Sequence, residues 1–308
     1  MFLTSLLSHL CEPDKSSIDY DLLVPYVPYK KGIPKYIYQT NKNKETKEPI
    51  TSNILKIKNL NPDWEYQLFD DSAIDAFIQE YYGNIILSYY KRIDSHYGAA
   101  KADFFRYLLL YQKGGVYLDI KSSINKPLSD SILEDDSFVL SFWDNLPGED
   151  HEGVGYYSAL PPEIERGEII QWYIVASPGH PLLRKVIITL LHNIDHYNPY
   201  INGIGWTGTV TTTGPVMYTR TLYETLKCNS CDYPVRWTNI FKDAGFVYSI
   251  FEKNQKNNQA QTTPHTTVLS SDYRKATAPV IMHSSRILQK INCLYLSYLA
   301  HYHSKQTI

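Results

Sequence analysis

The stretch "YGAAKADFFRYLLLYQKGGVYLDIK" (97–121) limits the possible folds more than any other part of the chain. On a helix over 96–112, Phe104, Phe105, Leu108 and Leu109 cover most of the circumference, while Ala99, Asp103, Arg106 and Leu110 share the remaining stripe. A helix apolar nearly all round lies inside a protein, so other layers must cover it. Gly114 and Gly115 close the helix, and "VYLDI" (116–120) reads as a compact central strand. Its period of two puts Val116, Leu118 and Ile120 on one face and Tyr117, Asp119 and Lys121 on the other.

The flanking sequence supplies such layers. "KYIYQ" (35–39) reads as a first strand, "ITSNILKIKNL" as a helix capped at Ser52, "EYQLFD" (65–70) as a strand, and "DSAIDAFIQEYYG" as a helix ending at Gly83. A further strand is expected near 138–143, and amphipathic helices over 181–194 and 214–227, the latter with Thr213 as cap and Pro215 in its first turn. Alternating strands and helices predict an α/β fold with a mainly parallel central sheet flanked by helices. Residues 144–168 carry Pro, Gly and acid without a period and read as a long surface loop. The 43 % hydrophobic content of 308 residues is enough for a sizeable core.

A net charge of −2 offers no basic field for nucleic acid, and no apolar run approaches the ~20 residues of a membrane helix. "MFLTSLLSHLCEPD" lacks the basic start of a signal peptide. Cys11, Cys228, Cys231 and Cys293 form no disulfide framework, and the lone "CNSC" reads as incidental reduced thiols. A cytoplasmic site of action is the expectation. The 27 tyrosines suit a surface that stacks on sugars, although a compositional bias of the genome explains them equally well.

Buried charges need partners. Asp103 and Arg106 are an i,i+3 pair that can satisfy each other. Alternatively, their heads line a cavity in which ribose hydroxyls and phosphate oxygens complete the set. A carboxylate at the C-terminal end of an inner parallel strand, as at Asp119, lies where open α/β sheets bind ligands.

The run "ADFFRYLLLYQKGGVYLDI" resembles the DXD-region signature of glycosyltransferase family 32, and a related pattern occurs in the clostridial glucosylating toxins. "IPKYIYQT" (33–40), "NPDWEYQLFDD" (61–71), "ASPGHPLL" (176–183) and "TGP" (213–215) are similar to other family segments, in the family's order. The resemblance implies a GT-A domain over 32–290, with an N-terminal extension (1–31) and a C-terminal tail (291–308). It also implies transfer of a hexose, with retention, from a UDP- or GDP-sugar to a glycan, glycolipid or other hydroxyl acceptor, with peripheral membrane contact allowed. By the same resemblance the nucleotide sugar is held by Tyr38, Gln39, Thr40, Asp103, Arg106, Tyr117, Asp119, Thr213 and Gly214. Asp119 and Lys121 then act on the leaving diphosphate, and Asp119 with His283 would hold Mn²⁺ or Mg²⁺ if a metal binds.

One departure matters. Lys121 stands at the second carboxylate of D-x-D, and a charged lysine cannot ligate a hard cation. Either the ammonium neutralises the diphosphate itself, or Asp119 with another ligand holds a weakened metal, or turnover is lost and a nucleotide-sugar or glycan-binding protein remains. Weaker candidates are His192 and His196, spaced four apart but without a zinc-protease motif, "GWTGTVTTTGP" (205–215) as a loop for phosphate or acceptor, and Trp143, Asp144, Tyr156 and Tyr157 as acceptor contacts. Each has an ordinary structural reading beside it.

Overall fold

The computed structural model describes residues 18–228, 233–251, 273 and 276–282. In chain order, the first half runs α1 (Tyr20–Leu23), β1 (Tyr36–Thr40), α2 (Ile50–Leu60), β2 (Glu65–Phe69), α3 (Asp71–Arg92), α4 (Gly98–Lys113), β3 (Gly115–Leu118) and β4 (Ser123–Ile124). There follow β5 (Phe138–Leu140), β6 (Tyr173–Ala176), α5 (Pro181–Asp195), α6 (Pro199–Asn202), α7 (Gly205–Thr212), α8 (Pro215–Lys227), β7 (Arg236–Trp237) and β8 (Phe246–Val247). Six strands form the central sheet in the order β2-β1-β3-β6-β5-β7, and β4 pairs separately with β8. β1 is parallel to β2 and β3, β5 is parallel to β7, and β6 runs antiparallel to both its neighbours. This is the mainly parallel, helix-flanked sheet of the GT-A expectation.

The period-two reading of β3 sorts its side chains as anticipated. Tyr117 joins the larger core with Tyr38, Phe69 and the apolar faces of α3, α4, α5 and α8. Val116 and Leu118 join a second core on the opposite face, with Ile37, Trp64, Trp143 and Trp172. α4 is buried along its length, from Ala100 to Tyr111 apart from Lys101 and Ala102. Each fully buried Leu or Phe there contributes roughly 1.5–3 kcal/mol of transfer free energy, which is why the helix can carry a charged pair inward.

α4 ends where predicted. Gly114 has φ 65°, and its N–H bonds the Leu110 carbonyl at 2.8 Å. A Cβ there would lie 2.5 Å from Pro178 Cδ and 2.7 Å from Pro178 N. Strain at such a position is on the order of 1–3 kcal/mol, so Gly114→Ala is expected to lower the urea midpoint accordingly, with an unchanged denaturant slope.

Several local expectations are corrected. α2 starts at Ile50 after Pro49, with no side-chain cap, so Ser52 lies inside the helix. Gly83 is non-helical (φ 75°, ψ −178°) and kinks α3, but the helix resumes to Arg92. β3 stops at Leu118: Asp119 N–H still bonds across to the Trp172 carbonyl, and the chain then turns, the Asp119 carbonyl accepting from Ser122 N–H. Residues 205–212 form α7 rather than a loop. Their Gly and Thr content disfavours a helix, but tertiary packing prevails: Gly208 lies against Gly203, where a Cβ would meet the Gly203 carbonyl oxygen at 2.5 Å. Gly214, not Thr213, is the N-cap residue of α8, and no side chain caps it. Of the polar stretch 251–267, only Phe251 lies within the described residues.

α1 rests on α5: Tyr20 Oη donates to Asp195 Oδ2 at 2.9 Å, and Tyr20 and Val24 are buried. No helix among the described residues is long and apolar enough to cross a membrane.

Candidate active site

Because β1, β3 and β5 run in one direction and β6 in the other, the ends of the first three and the start of β6 meet at one edge of the sheet. Thr40 stands there on β1, Asp119 and Lys121 follow β3, Trp143 follows β5, and Glu168, Gln171 and Trp172 lead into β6. α4 passes beneath this edge and sends up Asp103 and Arg106.

Arg106 is the hub. Its Nη2 donates to Asp119 Oδ1 at 2.7 Å and lies 3.2 Å from Asp103 Oδ1. Its Nη1 donates to the Gln171 carbonyl at 2.6 Å and its Nε to the Ala102 carbonyl at 3.2 Å. The guanidinium also lies 4.6 Å from the centre of the Tyr117 ring. Burial works against this cation, but Asp119, Tyr117 and Asp103 outweigh it and hold it charged. Asp103 accepts from Gln171 Nε2 at 2.9 Å and from Thr213 Oγ1 at 2.8 Å. Burial pushes the Asp103 carboxyl up, and Arg106, Gln171 and Thr213 oppose the rise. The structure shows the first reading of the Asp103–Arg106 pair, the two satisfying each other, with Asp119, Gln171 and Thr213 as further protein partners.

Other expected residues join the same network. Gln39 Nε2 donates to the Asp119 carbonyl at 2.9 Å, with Tyr66 Oη donating to Gln39 Oε1 at 2.8 Å. Thr40 Oγ1 and Tyr117 Oη are 2.9 Å apart. Gly214 lets α8 approach: a Cβ there would stand 3.4 Å from Asp103 Oδ2 and 3.0 Å from Val210 Cα. Tyr38 is not drawn in. It lies buried on the core side of β1, stacked on Tyr36 and tilted against Phe69. Burial raises its phenol far above the ordinary tyrosine range.

Asp119 keeps 24 % of its side chain exposed, against 3 % for Arg106 and 7 % for Asp103, so it is the more accessible of the two carboxylates that Arg106 meets. Lys121 is held by Tyr248: Nζ donates to the phenol oxygen at 2.6 Å and lies 3.8 Å from the ring centre. Tyr248 is fixed in turn by the Ser122 hydroxyl, which donates to its carbonyl at 2.7 Å. No group of three or more His, Cys, Asp or Glu suited to a metal occurs among the described residues. Asp119 has one oxygen committed to Arg106 and an ammonium two residues along. This donor set does not fit a metal cage built from the described side chains. His283, with Ser284 and Ser285, lies outside the described residues.

Among the weaker candidates, Trp143 is buried and donates from Nε1 to Glu168 Oε1 at 2.5 Å. Asp144 is buried and paired with His151 Nδ1. Tyr157 packs on Trp206, with 5.4 Å between ring centres, and Tyr156 is half exposed. His192 and His196 stack on each other at 4.0 Å. Cys228 is an exposed free thiol, and its CNSC partner Cys231, with Cys11 and Cys293, lies outside the described residues.

Three residues beside the site were not identified from the sequence. Gln171, Glu168 and Tyr248 sit in irregular segments far from the apolar helix, and the antiparallel entry of β6 and the β4–β8 pairing bring them in. A glutamine before the apolar run "WYIVA" was the only hint.

Residues 48–139 match the family profile described as "Glycosyltransferase sugar-binding region containing DXD motif". This segment runs from α2 through α4 and β3 to β5, so it includes Asp103, Arg106, Asp119 and Lys121. Over that segment the chain is similar to the sugar-binding region of that glycosyltransferase family. It is 28 % identical over 234 residues to the initiation-specific alpha-1,6-mannosyltransferase of Candida albicans, covering 69 % of this chain and 58 % of the relative. It is 35 % identical over 179 residues to inositol phosphoceramide mannosyltransferase 3 of Schizosaccharomyces pombe, covering 58 % and 43 %. The chain thus spans roughly half the length of these curated relatives. Among solved structures, the PaToxG glycosyltransferase overlaps 68 % of this chain and 74 % of its own, with TM-score 0.47 and 16 % identity.

Proposed function

We infer that the chain moves a hexosyl group from a UDP- or GDP-sugar to a hydroxyl of a glycan or glycolipid, with retention at the anomeric carbon. The names of the relatives favour mannose among the hexoses. The observation that carries this reading is the Arg106-held Asp119 at the strand edge, inside a matched sugar-binding region.

On this reading, residues 32–290 act as one domain, and the donor lies along the edge from Gln39 and Thr40 to Asp119, its nucleoside towards Asp103, Arg106, Thr213 and Gly214. Breaking the sugar–phosphate bond leaves negative charge on the diphosphate. A preorganised cation there stabilises the transition state more than the ground state. Lys121, oriented by Tyr248, supplies that charge as a fixed ammonium. Cytoplasmic action belongs to the same reading.

Turnover is tested with a panel of UDP- and GDP-sugars, following release of free nucleoside diphosphate with and without EDTA. Release that persists in chelator is expected. Complete loss that only Mn²⁺ restores rejects the ammonium-for-metal assignment. Donor binding without release by the wild-type chain supports the second reading, a nucleotide-sugar-binding protein that has lost catalysis through Lys121.

A further inference from the structure

An exposed indole on a short, tightly held helix is left unused by the donor site. α7 is pinned at both ends. The Gly205 N–H donates to Tyr97 Oη at 2.9 Å. Thr213, which follows the helix, donates to Asp103 Oδ2 at 2.8 Å, and its carbonyl accepts from Tyr107 Oη at 2.9 Å. Between the ends, Gly208 closes on Gly203 and Val280: a Cβ there would stand 2.5 Å from the Gly203 carbonyl oxygen and 2.8 Å from Val280 Cγ2. Side chains on such an element are placed more precisely than side chains on a loop. Yet the first turn of α7 carries Trp206, which is 40 % exposed.

Trp206 has an aromatic neighbour. Its ring centre lies 5.4 Å from that of Tyr157, which belongs to the 144–168 loop. The Tyr157 phenol lies by the Glu168 carboxyl. Glu168 accepts from Trp143, and Trp143 meets edge-on, at 4.9 Å, the Tyr248 ring that holds Lys121. The aromatic pair is thus tied to the donor edge twice, along α7 to Asp103 and through these side chains to Lys121. Tyr156 and Thr207, each next in sequence to one of the pair, are exposed, and their hydroxyls bond no group among the described residues. Trp237, the other exposed tryptophan, is already stacked on Phe142 at 4.8 Å and belongs to β7, the outermost strand.

Charge narrows the occupant. No Asp, Glu, Lys or Arg occurs from Tyr197 to Thr219, so α7 and its flanks bring no charge to this surface. An anionic membrane or a phosphorylated ligand is met by Lys and Arg. An uncharged sugar needs neither. Its ring offers a face of C–H groups, which packs on an aromatic face, and a rim of hydroxyls, which bond polar groups beside it.

We propose that Trp206, with Tyr157, is the platform on which an uncharged sugar ring of the acceptor stacks. The assignment rests on the transferase reading above and makes the acceptor a glycoside. The platform binds and orients the acceptor and takes no part in breaking or forming bonds, which accords with retention.

The test uses the full chain, the panel of UDP- and GDP-sugars and methyl α-mannoside as acceptor. Trp206→Ala is expected to raise the acceptor KM about 10-fold. Its kcat at saturating acceptor, donor Kd and donor hydrolysis by water should each stay within about twofold of wild type. Trp206→Phe, which keeps an aromatic face, should hold the acceptor KM within about threefold. An acceptor KM within about twofold of wild type for Trp206→Ala overturns the platform. So does donor hydrolysis that falls in step with transfer, the mark of a structural role. Binding to phosphatidylserine vesicles that Trp206→Ala abolishes, with the acceptor KM unchanged, makes the surface a membrane contact instead. A wild-type chain that releases nucleoside diphosphate from no donor overturns the transferase reading. Saturation-transfer NMR with methyl α-mannoside then decides the platform by itself: a wild-type signal lost in Trp206→Ala supports it, and any other pattern overturns it.

Discussion

Replacing Lys121 with alanine is expected to lower turnover by about 100- to 1,000-fold, the loss typical of removing one preorganised charge stabiliser from a transition state. The fold should not register the change. Lys121 lies past the end of β3, half-buried, with its ammonium on the Tyr248 phenol rather than in either core. The melting temperature should therefore move by no more than about 2 °C, as for substitutions away from core and buried networks. Lys121→Asp makes the sharper test, because it writes D-x-D at 119–121. Two carboxylates and a substrate diphosphate are a common way to hold Mg²⁺. That variant should be inactive in EDTA and regain activity on addition of Mn²⁺ or Mg²⁺, whereas the wild type changes little. Equal metal dependence of the two proteins would contradict the role given to the ammonium.

Arg106→Met is expected to be the most destabilising single change in the molecule. Removing one partner of a buried ion pair costs about 3–5 kcal/mol, because the other charge stays behind without compensation. Here two carboxylates lose their partner: Asp103, buried in α4, and Asp119 at the edge. The Gln171 carbonyl also loses its donor. The pH dependence has a defined sign. Burial already pushes the Asp103 carboxyl up, and Arg106 is the strongest influence opposing it. Without the guanidinium the folded-state pKa rises further above its unfolded value. Such a carboxyl loses stability as pH rises through that range and regains it as pH falls. The gap in melting temperature between Arg106→Met and wild type should therefore narrow from pH 8 to pH 5. A constant gap would mean that lost packing, not an orphaned carboxylate, dominates. Arg106→Lys should recover only part of the loss, since an ammonium cannot span Asp103, Asp119 and two backbone carbonyls at once.

The charged stripe of α4 and the strand-end carboxylate were legible because they break an apolar pattern. Asp103, Arg106 and Asp119 stand out against Phe104, Phe105 and the leucines, and a lysine in D-x-K is visible as a departure from D-x-D. Tyr38 shows the limit of a matched position: on β1 it falls with Tyr117 on the side of the larger core, and nothing in the order of residues gives its depth. Thr213 had the composition of a helix cap, yet its hydroxyl donates to Asp103, a charge-assisted bond to a buried carboxylate that local sequence does not reveal. α7 was hidden for a similar reason: its Gly and Thr residues have low helix propensity, and the neighbours that hold them lie elsewhere in the chain.

From sequence alone came the buried α4, its glycine stop, the central β3 and the charges destined for one edge of a mainly parallel sheet. Each of these depends on local periodicity or on a side chain's solvation, properties that a residue carries with it. Tertiary structure alone decided that Arg106 would grip Asp119, that Tyr248 would hold Lys121, and that Glu168 would stand buried beside Trp143 with one oxygen unfilled. Those contacts join residues 13 to 127 positions apart, and they exist only because β6 enters antiparallel to β3 and β8 closes on β4.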